Sequence, residues 1–261
     1  MGNLTDKVAV ISGGSKGIGA GIALALAREG VDCVLAARDE AVLAATAAAI
    51  SGETGRKIDT VAADLNTLEG CESVHAAVAA GIGRVDILVN NAGSTKSGPF
   101  LGLADEDWVD GMMLKFHGAV RLSRLLWPML KESHGTVINV IGGAARTPRP
   151  DAMIGTSVNS AMAAFTKALA GQGLADDVNV NAIHPGLTRT ERFHTLMQAR
   201  ADTAGVPKEE FGQNIMKRQG IRRLGEVEDV ANLAVFLCRP EARHINGTAI
   251  AVDGGGTPGL Y

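Results

Sequence analysis

Short runs of apolar, mostly β-branched residues alternate along this chain with longer Ala/Leu-rich stretches of helical period. Residues 8–11 lead into 18–29, and 32–36 into 41–51, the order strand, helix, parallel strand. Further runs at 57–62, 87–90, 136–141, 179–183 and 249–252 are apolar nearly throughout, as strands covered on both faces are. The pattern predicts an α/β fold: a single doubly wound (Rossmann) domain over residues 1–261, with an approximately seven-stranded parallel sheet.

The helices expected after residues 67, 105, 155 and 226 are rich in Ala, Leu, Val and Met. Those at about 106–131 and 155–173 carry more apolar surface than one sheet face covers, which predicts a homodimer or homotetramer. The stretch 192–222, with mixed charges and Gly205, Pro207 and Gly212, breaks the rhythm and reads as a lid or insertion.

An apolar fraction of 46% provides for a large core, and the net charge is only -3. Lys and Arg are scattered, so no continuous basic surface exists for nucleic acid. Cys33, Cys71 and Cys238 are odd in number and far apart, which suits neither disulfides nor a metal site. Residues 1–7 lack the features of a signal peptide, and no apolar run is long enough to cross a bilayer; the expectation is a cytoplasmic protein without a membrane partner.

Directly after the first strand, Ser12-Gly13-Gly14-Ser15-Lys16-Gly17-Ile18-Gly19 opens the first helix. Glycines there permit a tight turn and close approach of backbone to a pyrophosphate, while the helix start offers N–H groups to it. The second strand ends at Ala37-Arg38, where folds that bind a ribose 2′-hydroxyl carry an acid that would repel a 2′-phosphate. Arg38, with Lys16 in the loop, predicts NADP(H) as cofactor. In the alternative, both are solvated cations and Asp39 takes the ribose.

The glycine spacing, G-x-x-x-G-x-G, resembles that of the short-chain dehydrogenase/reductase family. Four more fragments of that family's pattern follow in order: Asp64-Leu65, Asn90-Asn91-Ala92-Gly93, Pro185-Gly186 with Thr188 and Thr190 beyond, and Val252-Asp253-Gly254-Gly255. The resemblance covers nearly the whole chain. It implies an oxidoreductase acting on a carbonyl or alcohol, with the dinucleotide contacted by Ser12, Gly13, Ser15, Lys16, Gly17, Ile18, Gly19 and Arg38. Asp64 and Leu65 would meet the adenine. Asn91, Ala92, Gly93 and Asn159 would line the site, and Pro185, Gly186, Thr188 and Thr190 would hold the nicotinamide end.

In that family a tyrosine exchanges the substrate proton, a lysine four residues later lowers the phenol pKa, and a serine holds the substrate oxygen. Alignment from residues 135–140 forward and from Phe165-Thr166-Lys167 back puts Gly142 at the serine, Gly155 at the tyrosine and Asn159 at the lysine. The family's asparagine falls on Lys115. All four differ, and the single tyrosine is Tyr261, which would have to reach a neighbouring subunit's site. Candidate substitutes are Lys115, able to bind the nicotinamide ribose or polarise a carbonyl, His184, whose side chain type titrates at about 6.5, and water. His117 reads as structural; Thr156, Ser157 and Ser160 read as helix caps and first-turn residues. Arg146 and Arg149 form either an anion site or a solvated turn. The lost bulk predicts a roomier pocket. Two readings result: an NADP(H)-dependent oxidoreductase with an atypical site, or a catalytically silent or non-redox NADP(H)-binding protein on the same fold.

Overall fold

The computed structural model describes residues 4–259; Tyr261 lies outside the described residues. Strands β1 (Val8–Ser12), β2 (Asp32–Ala37), β3 (Ile58–Ala62), β4 (Ile87–Asn90), β5 (Thr136–Val140), β6 (Asn179–Pro185) and β7 (Ala249–Val252) form one parallel sheet. Its order is β3-β2-β1-β4-β5-β6-β7. The chain therefore winds outward from β1 to β3, returns beside β1 at β4, and winds out the other way. That reversal leaves a crevice beyond the carboxyl ends of β1 and β4.

The helices among the described residues are α1 (Gly17–Arg28), α2 (Glu40–Thr54), α3 (Leu68–Ala80), α4 (Asp105–Met112), α5 (Gly118–Glu132), α6 (Met153–Asp176), α7 (Glu191–Ala204), α8 (Lys208–Gln219) and α9 (Val227–Leu237). Side chains alternate across a strand, so β1 feeds two cores. Ala9 and Ile11 pack with Ile22 and Leu26 of α1 and Val230 and Val235 of α9, whereas Val10 packs with Val74 of α3 and Leu122 and Leu126 of α5. Leu122, Leu126 and Leu130 recur every fourth residue and are fully buried, each contributing roughly 1.5–3 kcal/mol over an exposed position. None of these helices is long and apolar enough to cross a membrane.

Three stretches differ from the expected pattern. The helix expected at about 106–131 is interrupted by a π-helical turn, Met113–His117, between α4 and α5. Helix α6 starts at Met153 with Ala152 as its uncapped N-terminal residue, so Thr156, Ser157 and Ser160 lie inside it and none of them caps it. Residues 192–222 hold most of α7 and all of α8, which end on Gly205 and Gly220, both left-handed, the conformation glycine adopts without steric cost.

Two glycines two residues apart in α6 give opposite expectations. A Cβ on Gly173 would lie 2.1 Å from the Val178 carbonyl oxygen, whereas one on Gly171 meets nothing within 4 Å. Gly173→Ala should lower the free energy of unfolding by about 1–3 kcal/mol, and Gly171→Ala should raise it by about 0.5–1 kcal/mol; denaturant midpoints of the two variants check both signs.

Candidate active site

The crevice is built by a stitch between the loops that follow β1 and β4. The Ser12 hydroxyl donates to Val89 O (3.3 Å) and accepts from the Asn91 and Ala92 N–H groups (3.0 and 3.1 Å). The Asn91 amide donates to Ser12 O and Gly13 O (3.2 and 3.1 Å). These bonds press the Gly-rich loop against Ala92: Gly13 has φ 65°, and a Cβ on it would stand 3.0 Å from Ala92 Cα. A Cβ on Gly19 would lie 2.2 Å from Gly13 O, so α1 can begin this close only with glycine there. No side chain caps α1, which leaves the N–H groups of its first turn, at Gly17, Ile18 and Gly19, for a ligand's phosphates.

At the adenosine end, Arg38 is exposed and carries no ion pair among the described residues. Asp39, the alternative ribose ligand, caps α2, one carboxylate oxygen accepting from Val42 N (3.1 Å). Ser15 O accepts from the Thr46 hydroxyl at 2.8 Å, and Lys16 pairs with Glu191 at 3.4 Å. Asp64 is exposed beside buried Leu65, its carboxylate turned onto the backbone and side chain of Asn66.

At the other end, Pro185-Gly186 closes β6 against β7; a Cβ on Gly186 would stand 2.7 Å from Asp253 Cα. Buried Thr188 bridges to Gly225, and Thr190 caps α7 through Phe193 N. Thr190 also lies over the start of α1, where its methyl would meet a Cβ on Gly17 at 3.4 Å. Helix α7 is thus seated across the crevice by Thr190, by the Lys16–Glu191 pair, and by Arg192, which donates to Gly93 O at 3.2 Å.

The positions aligned with the missing residues come together here. Asn159 accepts from Gly142 N (2.7 Å) and donates to Gly155 O (2.6 Å), so its amide straps the two glycines. A Cβ on Gly155 would meet only Thr95 Oγ1, at 3.1 Å, leaving the phenol's place open. Lys115 sits in the middle of the π-helical turn, a local unwinding frequent at functional sites. Its stem covers Gly93, where a Cβ would stand 2.8 Å from Lys115 Cδ. Among the described residues its ammonium has no hydrogen-bond or ion-pair partner. Desolvation, reinforced by the Arg192 guanidinium, pulls its pKa down to about 8.

His184 is 2% exposed, and its Nδ1 lies 3.2 Å from Gly142 O. A carbonyl only accepts, so Nδ1 carries the proton and the ring anchors the Gly142 loop. Burial lowers its pKa, and Arg146 and Lys115 push the same way. Arg149 is held by Asp151, but Arg146 turns inward onto Ala249 O (2.6 Å). Thr95 and Arg192 were not expected from the sequence; neither belongs to a motif, and both reach the site only through the packing of loop 93–104 and α7.

Residues 13–257 match the family model described as enoyl-(acyl carrier protein) reductase. The chain is 36% identical over 258 residues to an uncharacterized oxidoreductase of Mycobacterium tuberculosis, covering 98% of this chain and 94% of that one. It is 32% identical over 253 residues to the acetoacetyl-CoA reductase of Shinella zoogloeoides, covering 96% and 98%. L-Sorbose reductase from Gluconobacter frateurii, solved with NADPH and L-sorbose, matches at a TM-score of 0.95 and 34% identity over 99% of both chains. The chain belongs to the short-chain dehydrogenase/reductase family of oxidoreductases.

The depressed Lys115 pKa fixes a sign. Below pH 8 the folded protein carries a partly desolvated ammonium that the unfolded chain hydrates freely, so folding is penalised there. Between about 8 and the ordinary lysine value near 10.4 the unfolded state binds more protons, and stability rises with pH. Urea unfolding at intervals from pH 7 to 10 should show wild type gaining on the order of 1–2 kcal/mol relative to Lys115→Met; parallel profiles would refute the desolvated ammonium.

Proposed function

We propose that this protein is an NADP(H)-dependent oxidoreductase that interconverts a carbonyl compound and its alcohol, with Lys115 in the proton-transfer role that a tyrosine holds in the family. The observation that carries this reading is the partly desolvated ammonium of Lys115, whose stem lies on Gly93 and which has no hydrogen-bond or ion-pair partner among the described residues. The Gly-rich cradle suits a dinucleotide: N–H groups at the α1 start face the pyrophosphate, and Arg38 with Lys16 faces the 2′-phosphate. The Lys16–Glu191 pair is solvent-exposed at both ends, is worth at most about 1 kcal/mol, and yields readily to a phosphate. When bound, the reduced nicotinamide supplies hydride to the carbonyl carbon. As that bond forms, the carbonyl π electrons move to oxygen, and the alkoxide takes a proton from Lys115, whose amine is reprotonated from solvent. His184 positions Gly142, and Asn159 sets the spacing of Gly142 and Gly155.

One observation favours the catalytically silent alternative: Asn159 satisfies Gly142 N and Gly155 O internally, which leaves no side-chain hydroxyl at either position. Assay decides between the two. NADPH should bind at least tenfold more tightly than NADH, and Arg38→Ala should erase most of that preference in a fluorescence titration. NADPH oxidation over a panel of ketones, aldehydes and quinones should fall about 10²–10⁴-fold in Lys115→Met while NADPH affinity holds. No turnover on any member by wild type would favour the silent reading.

For the assembly, we infer that the apolar groove between α5 and α6, lined by Val120, Trp127, Phe165 and Leu169, is covered by a second copy of the chain across a two-fold axis, with a dimer or tetramer as the result. Light scattering at micromolar concentration should give a multiple of 26.9 kDa, and Leu169→Glu should shift it toward the monomer.

A further inference from the structure

The nicotinamide end of the crevice is ringed by cations with no acid to balance them. Arg192 of α7 is solvent-exposed at the mouth of the crevice and is fixed by one of its five N–H groups to Gly93 O; the Lys115 stem lies on that same glycine. The Lys115 ammonium and the inward-turned Arg146 both act on buried His184, whose ring rests on Gly142 O. Arg192, Lys115 and Arg146 thus run as a row of positive charge past Gly93 and Gly142, each within electrostatic reach of the next group.

None of the three has a carboxylate partner among the described residues. The acids on the framing elements are engaged elsewhere: Glu191 with Lys16, Asp151 with Arg149 and Arg200, Asp107 with Lys96, and Asp253 with the backbone N–H groups of Gly255 and Thr257. No carboxylate acts appreciably on Lys115 or on His184. The chain as a whole carries net charge -3, so the excess of positive charge is a property of this site. A partly desolvated cation such as Lys115 is costly, and like charges gathered around it repel it. A bound anion relieves both.

We propose that the substrate is an oxo acid, a carbonyl compound bearing its own carboxylate, with the carboxylate held by the free N–H groups of Arg192 and the carbonyl oxygen presented to Lys115. The inference rests on the reading of this crevice as a carbonyl-reducing site and names what enters it. Arg192 is the carboxylate ligand because its guanidinium is planar and keeps donors to spare, whereas Lys115 offers one compact charge to one oxygen. Arg146, tied to Ala249 O, adds field without direct contact. Helix α7 is seated over the crevice by the same arginine that grips the substrate.

The test compares oxo acids with their methyl esters, which keep the ketone and remove the charge. Pairs of graded size suit a pocket whose bulk has been trimmed at three positions: pyruvate, phenylpyruvate and benzoylformate, each with its ester. Binding to the NADPH-loaded protein is measured by calorimetry and by change in nicotinamide fluorescence, before any turnover, and reduction is followed separately. At least one acid should bind tenfold or more tightly than its ester, its affinity should fall as salt rises, and Arg192→Gln should abolish the preference while NADPH binding is kept. Loss confined to Arg192→Gln, with Arg192→Lys retaining part of the preference, marks charge recognition rather than a disturbed helix. Esters that bind as well as every acid, or an unchanged preference in Arg192→Gln, would overturn the proposal. Charge-selective binding without reduction would uphold it and count against hydride transfer; fast reduction of esters insensitive to Arg192→Gln would do the reverse.

Discussion

Everything at this site hangs from the stitch between the first and fourth strands. Ser12 and Asn91 join loops nearly eighty residues apart through five hydrogen bonds in a part-buried setting. Each such bond is worth only about 0.5–1.5 kcal/mol net, but together they fix the position of Ala92-Gly93. From Gly93 the order propagates outward: its bare Cα accommodates the Lys115 stem, and its carbonyl receives Arg192. The Gly-rich loop and the proposed proton-transfer site are therefore two ends of one hydrogen-bonded assembly, and a change to Ser12 or Asn91 reaches both.

The sheet was legible because parallel strands covered on both faces leave an unambiguous trace of apolar runs, and the doubly wound order follows once helices separate them. The glycine loop was legible because its requirement is steric and local. The π-helical turn was not: Met113 to His117 contains residues compatible with an ordinary helix, and an extra residue in a turn leaves little mark on a 3.6-residue period. The early start of α6 was hidden for a related reason, since Ala152-Met153 offers no capping side chain and the hydroxyl-bearing residues further on imitate an N-terminus. The two helices within 192–222 had their ends written in Gly205 and Gly220, but the contacts of Arg192 and Glu191 are tertiary and leave no local pattern.

The four substituted positions form a consistent set. Glycine at 142 and 155 removes two hydroxyl-bearing side chains, and asparagine at 159 turns inward to bridge the backbone groups those glycines expose. Restoring the expected lysine at 159 alone would cut this strap and leave the part-buried Gly142 N without its partner, at no more than about 1–3 kcal/mol. Where the family resemblance implies a cation at 159, the cation in this region is Lys115 of the π-helical turn, its stem on Gly93.

Under the proposed mechanism an amine takes the place of a phenol. Both have ordinary pKa values near 10, too high for efficient exchange near neutrality. A neighbouring cation corrects either one, but through opposite states: beside a phenol it stabilises the phenolate, and beside an ammonium it destabilises the charged form. In the family's pattern a lysine does this for tyrosine; for Lys115 desolvation by burial does most of it and Arg192 reinforces it, bringing the amine down to about 8. The phenol's correction requires a charge in the helix that carries it. Only the smaller part of the amine's correction comes from α7, a separate element, so under the proposed mechanism the Arg192 share of it is tied to whether α7 is seated. An anion gripped by Arg192 would partly neutralise that arginine and raise the Lys115 pKa again, keeping the ammonium protonated until the carbonyl oxygen gains charge and draws the proton away.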